Sequence, residues 1–413
     1  MPGFHETEIA FLGPEDIISQ SIPRQAIRLA RRIATLPGAA PPVCLTSECH
    51  VDSMGRLTGI LLRTTRESRL VYSCLIPDIG CGYLVMHIKR LALSTNHRQR
   101  LANLLVNVAG VLSPSRRRET KKYDGRQILA RGTTYLRECG MQVPRSSFQT
   151  TAANSIHEVL VDRAREALGC AWGHFCEVRA VDEILDVKKA EALDLRKSDD
   201  IVIIHAGAHG LPLMVRSDDM DDVCQLRHAA WFENFARCSR LIAANSIRRA
   251  IVESYGLGDE DVRILSDVCH SGIGEEGTTI VHARGIQPLF GACSLHFDSI
   301  CQTFLIAGTC LTPSFLVTPI RATPGLLPHG SPEIRNADPA KEVPVATVRS
   351  GTVLADSCLL QDGLPLATER IVEHFFATGV AAPLCLLAPR INLRNGLGGE
   401  LAYYALAPSL LRS

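Results

Sequence analysis

Apolar residues recur with helical spacing from Glu15 to Leu36, where Ile18, Ile22, Ile27 and Leu29 fall among charged positions. This predicts a helix ending at the loop signal PGAAPP. The runs GRLTGILLRTT and RLVYSCLIP read as strands. His97 to Leu112 reads as a helix, and SIHEVLVDRAREALG as an amphipathic helix that stops at Gly169 as its C-cap. DIVIIHAGAHG is a β-branched strand running into a glycine-rich turn. HAAWFENFARCSRLIAANSIRRAIVESYG is a long helix ending at Gly256. TTIVHARG, FLIAG and SFLVTPI predict three further strands, RATPGLLPHGSPEIRNADPAKEVP a proline-rich loop, and ATERIVEHFFATGVA a last helix. Helices and strands interleave without a linker or an internal repeat. The pattern predicts one large α+β domain, of mixed α/β composition, over residues 1–413.

One apolar run breaks off in an unexpected way. CLIPDIGCGYLV climbs toward Pro77, stops to display Asp78 and Cys81, and then resumes. Glycines on both sides of Cys81 let the backbone turn sharply and approach an ion closely. Other candidate ligands lie where apolar segments meet turns: His174 in WGHFCEV, His205 closing IVIIH, His270 in SDVCHSG, and His329 in the loop LLPHGSP. Such positions can point side chains into a shared cleft. A carboxylate, a thiol and several imidazoles make a plausible set for one or two divalent metals. A single histidine at a strand end is nevertheless more often a hydrogen-bonded structural residue, and Cys81 alone more often a small buried hydrophobe.

Composition bounds the picture. The chain has 413 residues, 46% of them hydrophobic, enough for a large core, and a formal net charge of +1 argues against a surface that binds nucleic acid everywhere. Three local basic stretches remain: Arg28 with Arg31 and Arg32, Lys89 to Arg100, and Ser115 to Arg126. Each reads first as a solvated face. The fifteen cysteines follow no repeating spacing, as expected for thiols in a reducing compartment. The start MPGFHETEIA lacks the pattern of a signal peptide, and no uncharged apolar run is long enough to span a bilayer. The expectation is a soluble, cytoplasmic protein without membrane partners.

Taken in order from about Ala26 to Gly396, these segments resemble the RtcB family of RNA ligases. DIGCG matches the family's Asp-x-Gly-Cys-Gly element and is the most specific piece; GHFCE, HAGAHG, ENFARCSR, DVCH, VHARG, AGTCLTPS and HGSPE follow in the family's order. The resemblance implies a single RtcB-like domain with a central metal-containing cleft. It implies metal ligation by Asp78, Cys81, His174, His205 and His270, holding manganese ions, two of them. His329 becomes the nucleophile that takes GMP from GTP. Gly173, Phe175, Glu177, Ser271, Ala307, Gly308, Thr309, Cys310, Ser314, Gly330 and Asn395 become the nucleotide site. The implied partner is RNA with a 3′-phosphate or 2′,3′-cyclic phosphate and a 5′-hydroxyl, with Arg116 to Arg126 as the first place to look for RNA contact.

The ligand chemistry by itself would hold zinc equally well. The sequence also departs from the family. Gly173 replaces an asparagine, Ser271 another, and His209 stands where an arginine is expected. HGSPE brings Pro332 and Glu333 in place of a flexible glycine and a cation, and Asn395, beside Arg394, stands at or near the family's lysine. The segment TSECHVD only echoes the family's Met-Pro-Asp-x-His element. Two other functions therefore stay open: a metal-dependent RNA-end phosphoesterase, and a non-catalytic RNA-binding relative.

Overall fold

The computed structural model describes residues 8–52, 55–65, 79–89, 101, 104–105, 122–143, 156–168, 175–208, 211–214, 222–289, 303–308, 312–320, 325–330, 341–349, 352–360, 364–395 and 401–406. The fold is α+β. Its first sheet joins β1 (Ile9–Leu12), β2 (Ala39–Val51), β3 (Leu57–Thr65), β9 (Thr279–Arg284) and β8 (Ser271–Glu276) in that order, numbering along the chain. The main sheet runs β15 (Thr352–Leu360), β14 (Lys341–Arg349), β17 (Leu401–Leu406), β16 (Ala381–Asn395), β5 (Phe175–Ile184), β6 (Asp200–Ala206), β4 (Gly82–Ile88), β7 (Val262–Cys269). β12 (Ser314–Pro319) adds to it through β16, and β11 (Phe304–Ile306) pairs with β12. β10 (Ile286–Leu289) and β13 (Gly325–Pro328) form a separate pair.

The centre of the main sheet is buried on both faces, which is why β4 and β6 read as continuous apolar runs. Along β4, Leu84, Met86 and Ile88 join one core with the long helix Asp222–Tyr255, while Tyr83 and Val85 join another on the opposite face. β6 alternates likewise, with Val202 and Ile204 toward the helix and Ile201 and Ile203 away from it. This parity also sorts the polar residues. Cys81 precedes Tyr83 by two. His205 pairs with Tyr83 on one side and Phe175 on the other. Cys81, Tyr83, Phe175, Glu177, Arg179 and His205 therefore share the face turned away from the long helix.

Several expectations change in detail. The single helix expected from Glu15 to Leu36 is two, α1 (Glu15–Ser21) and α2 (Arg24–Ala34). Pro23 cannot continue a helix, since it lacks an N–H and its ring crowds the preceding turn, and it forces Ile22 into an extended conformation. Arg28, Arg31 and Arg32 lie on the exposed face of α2. PGAAPP is not wholly a loop: β2 begins at Ala39, and the pairing with β3 shifts register between Ala40 and Cys44, where two prolines have no N–H to offer. The proline-rich stretch likewise contains β13 and the start of β14. The helix expected at SIHEVLVDRAREALG spans Glu158–Ala167 and is capped at Leu168; Gly169 lies outside the described residues, as do RLVYSCLIP beyond residue 65 and most of His97–Leu112. The long helix starts at Asp222, earlier than its pattern suggested, and the last helix spans Leu364–Ala377. No described helix is long and apolar enough to cross a membrane.

Buried titratable groups give the fold a pH signature. Burial pushes His282 down to about 3; burial and the charge of His157 push His228 down to about 4. Both rings stay neutral in the fold, while an unfolded chain protonates them below about 6.5. Their contribution is full above that pH and is lost as pH falls. Burial raises Glu233 to about 7, which runs the other way: its proton favours the fold at low pH, and that advantage fades as pH rises through 7. The melting temperature of His282→Gln should therefore fall less between pH 6.5 and 4 than that of the wild type. Parallel profiles would show that His282 takes no part in the acid limb.

Candidate active site

Cys81 sits where β4 begins, and the two glycines around it are required by space. Gly80 has φ of +78°, and an added Cβ would lie 2.7 Å from Ala236 Cβ on the long helix. At Gly82 it would lie 2.3 Å from the carbonyl oxygen of Val268 in β7. The backbone on either side of Cys81 thus passes close under the long helix at Gly80 and against β7 at Gly82.

Three of the expected ligands converge there. Cys81 Sγ lies 3.1 Å from His205 Nε2, and His205 Nε2 lies 3.0 Å from His270 Nε2. One donor atom from each of Cys81, His205 and His270 falls within 4.8 Å of the other two. Around a tetrahedral ion with bonds of about 2.0 Å to nitrogen and 2.3 Å to sulfur, such atoms stand roughly 3.3–3.6 Å apart. The cluster fits a divalent ion after a movement of a few tenths of an ångström. With the thiol ionised and both imidazoles neutral, the three atoms would turn lone pairs toward one another, an arrangement a cation relieves. Asp78 and His174 lie outside the described residues, although His174 directly precedes Phe175, whose ring meets His205 edge-on at 4.7 Å.

Main-chain hydrogen bonds carry this cluster to the fourth histidine. The N–H of His270 donates to Cys81 O at 2.8 Å, and the N–H of Ile286 donates to His270 O at 2.9 Å. One residue back, Gly285 O accepts from the His329 N–H at 3.2 Å. The ring of His329 consequently lies 4.5 Å from that of His270 and 6.2 Å from that of His205, with Tyr83 stacked at 6.2 Å. His329 Nδ1 is 2.6 Å from Glu48 Oε1 and 3.2 Å from Gly285 O. Both partners are acceptors, so Nδ1 carries a proton, and in the neutral ring the lone pair is on Nε2. Glu48 Oε1 also accepts the His329 main-chain N–H at 2.8 Å. At Gly285, φ is +72°, and an added Cβ would come within 3.1 Å of His329 Nδ1.

Glu48 is a functional candidate that sequence reasoning passed over. Its signal was present in TSECHVD: an acid in the middle of a buried stretch of β2. Burial of a carboxylate demands a partner, and here the partner is His329.

Several of the remaining positions bond to these histidines or to one another. Ser271 Oγ lies 3.4 Å from His270 Nδ1 and accepts from the Gly285 N–H at 3.2 Å. Ala307 and Gly330 form an isolated bridge, with the Ala307 N–H donating to His329 O at 3.3 Å. Gly308 donates its N–H to Ser314 Oγ at 2.8 Å, and an added Cβ there would meet Pro313 O at 2.1 Å. Both Glu177 oxygens bind the buried Arg179 guanidinium, Oε1 to Nε at 2.7 Å and Oε2 to Nη2 at 3.1 Å. Nη1 of Arg179 donates to Thr312 O at 2.7 Å, which links Glu177 to the residues just before β12. Arg394 is the register partner of Phe175, and Asn395 follows it. Gly173, His209, Thr309, Cys310, Pro332 and Glu333 lie outside the described residues, as do Arg116, Arg117 and Arg118. Arg126 is engaged by Glu158 and the Ile156 carbonyl.

A family model described as tRNA-splicing ligase RtcB matches residues 29–227. A tRNA-splicing ligase RtcB of Archaeoglobus fulgidus is 22% identical over 384 residues, covering 78% of this chain and 79% of that protein. A protein of the same name from Pyrobaculum aerophilum is 23% identical over 297 residues, 57% of this chain and 61% of its own. One from Methanopyrus kandleri is 28% identical over 211 residues, 38% of this chain and 21% of its own.

Proposed function

We propose that the chain is a divergent relative of the RtcB family and that it is an RNA ligase joining a 3′-phosphate or 2′,3′-cyclic phosphate end to a 5′-hydroxyl end. GTP supplies the energy through a guanylylated His329, with manganese as the metal. The observation that carries this reading is the imidazole of His329, fixed through Nδ1 by Glu48 and Gly285 O, beside the Cys81–His205–His270 cluster.

Each residue has a part. Cys81, His205 and His270 would hold the metal, completed by Asp78 and His174, two ions in all; a bound metal neutralises triphosphate charge and polarises the phosphorus under attack. His329 Nε2 gives its lone pair to the α-phosphorus of GTP, and pyrophosphate leaves. Glu48 holds the Nδ1 proton as the ring becomes cationic. An oxygen of the RNA 3′-phosphate then takes the GMP, and the electron pair returns to Nε2. Attack of the 5′-hydroxyl on the activated RNA phosphate forms the new phosphodiester and releases GMP; a cyclic end first opens with water. Phe175, Glu177, Ser271, Ala307 and Gly330, with Gly173, Thr309, Cys310, Ser314 and Asn395, bound the nucleotide.

We read the chain as one domain, since the main sheet recruits strands from residue 82 to residue 406. We place it in the cytoplasm, on the fifteen cysteines that follow no framework spacing.

The test is ligation itself. Two oligoribonucleotides, one ending in a 3′-phosphate and one beginning with a 5′-hydroxyl, should be joined only with both GTP and Mn²⁺. Phosphate release or cyclic-phosphate opening without GTP would replace ligation by the phosphoesterase reading, which the engagement of Glu177 by Arg179 favours. Binding of RNA without turnover would leave a non-catalytic relative. Glu48→Gln tests the orientation of the nucleophile. Labelling by α-labelled GTP should slow by about 10²-fold, as for loss of a group that holds a proton in place. An unchanged rate would relieve Glu48 of that role.

A further inference from the structure

The long helix carries a charged stripe through a buried environment: Glu233, Arg237 and Arg240, at spacings of four and three. Apolar side chains would pack such a helix against a sheet at lower cost. A guanidinium enters a protein interior favourably only where its donors are matched. Arg240, fully buried, is matched in an informative way. Its Nε donates to Asp267 Oδ1 at 2.7 Å. Its Nη1 donates to two main-chain carbonyls, Gly80 O and Ala206 O, each at 2.7 Å. Its Nη2 lies 3.3 Å from Cys269 Sγ.

Three of these acceptors share one property. Gly80 adjoins Cys81, Ala206 adjoins His205, and Cys269 adjoins His270. The three segments are remote in sequence and belong to the loop before β4, the end of β6 and the end of β7. One planar group touches the neighbour of every member of the cluster. The guanidinium fork has fixed geometry, so it satisfies the three only when they stand at one mutual spacing. Asp267 anchors the fork, and the close seat of Gly80 under Ala236 leaves the helix no room to slide.

We propose that Arg240 is a positioning residue that sets the spacing of Cys81, His205 and His270 from behind the sheet, so that metal affinity at this cluster depends on its guanidinium. The inference rests on the reading of the cluster as a metal site. Arg237, three residues earlier, supplies the comparison. It is buried and shares Asp267, through Asp267 O at 3.3 Å and Oδ2 at 3.7 Å, but its bonds reach no neighbour of the cluster.

The experiment is titration of the full chain with Co²⁺, followed by the thiolate-to-cobalt absorption band, alongside thermal melting without metal. The wild type should show the band, and Cys81→Ala should lose it. Arg240→Lys keeps the charge but offers one nitrogen where three acted, and should weaken cobalt binding by about 10- to 100-fold, the usual effect of losing a residue that orients ligands. Arg237→Lys should lower the melting temperature and leave cobalt affinity as in the wild type. If Arg240→Lys does not fold, Asp267→Asn, which removes the anchor but keeps the guanidinium, should weaken cobalt binding in the same direction. Wild-type affinity in the variant measured, or equal losses of affinity for Arg237→Lys and Arg240→Lys, overturns the proposal while the metal site stands. A wild type without a Cys81-dependent band overturns both.

Discussion

His329→Ala is expected to abolish covalent labelling by α-labelled GTP and all GTP-dependent RNA joining. Loss of the group that forms the covalent bond removes the pathway rather than slowing it, so the fall should be at least about 10³-fold. The fold should survive. The His329 side chain is 19% exposed and lies outside the apolar cores. One complication is Glu48, which would keep the His329 main-chain N–H but lose the imidazole, at a cost of up to about 1–3 kcal/mol for a buried polar group. His329→Asn answers this, since its amide N–H can still donate toward Glu48 while no imidazole lone pair remains. Both variants should be inactive, and the asparagine variant should melt closer to the wild type. Labelling that persists in both would move the nucleophile elsewhere.

The second large effect concerns the cluster. Cys81→Ser should lose metal binding, and with it every metal-dependent step, although the side chain hardly changes size. A hydroxyl stays protonated near neutral pH and is a poor ligand, whereas a thiol that meets a metal gives up its proton. The readout is thermal. A ligand that binds only the folded state, at about one hundred times its Kd, adds about 2.7 kcal/mol of stability. Added Mn²⁺ or Zn²⁺ should therefore raise the wild-type melting temperature, and the rise should vanish in Cys81→Ser and in His270→Ala. The response to the two metals also addresses their identity: a thiolate with imidazoles favours zinc on affinity, so binding of manganese would require selection by availability. An equal rise in wild type and Cys81→Ser would mean that the metal binds elsewhere.

The legible part of the site was its chemistry; the hidden part was its support. Cys81, His205 and His270 could be named because they stand at turns flanked by glycine or at the ends of apolar runs, and β4, β6 and β7 do deliver them to one place. His329 was singled out as the nucleophile only through the resemblance carried by HGSPE, and its ring lies 4.5 Å from that of His270. Glu48 was not legible, because its partner lies 281 residues away and no local pattern links them. Arg240 was hidden for a similar reason. The helix that carries it is buried nearly all round, so its hydrophobic pattern has no polar face against which a buried arginine would stand out. In the fold, proline chemistry explains the main differences: Pro23 splits one expected helix, and Pro41 with Pro42 proved compatible with a bulged strand. Among the missed strands of the C-terminal part, β16 owes its place to β5, distant in sequence, whereas β14 and β15 form a local hairpin.

The most direct test of the central claim is peptide mapping of the protein after incubation with GTP and Mn²⁺, quenched at alkaline pH to preserve a phosphoramidate. The account predicts that the peptide containing His329, and no other, gains the mass of GMP, and that adding RNA with a 3′-phosphate discharges it. An adduct on a different residue, or none in a preparation that joins RNA, would contradict it.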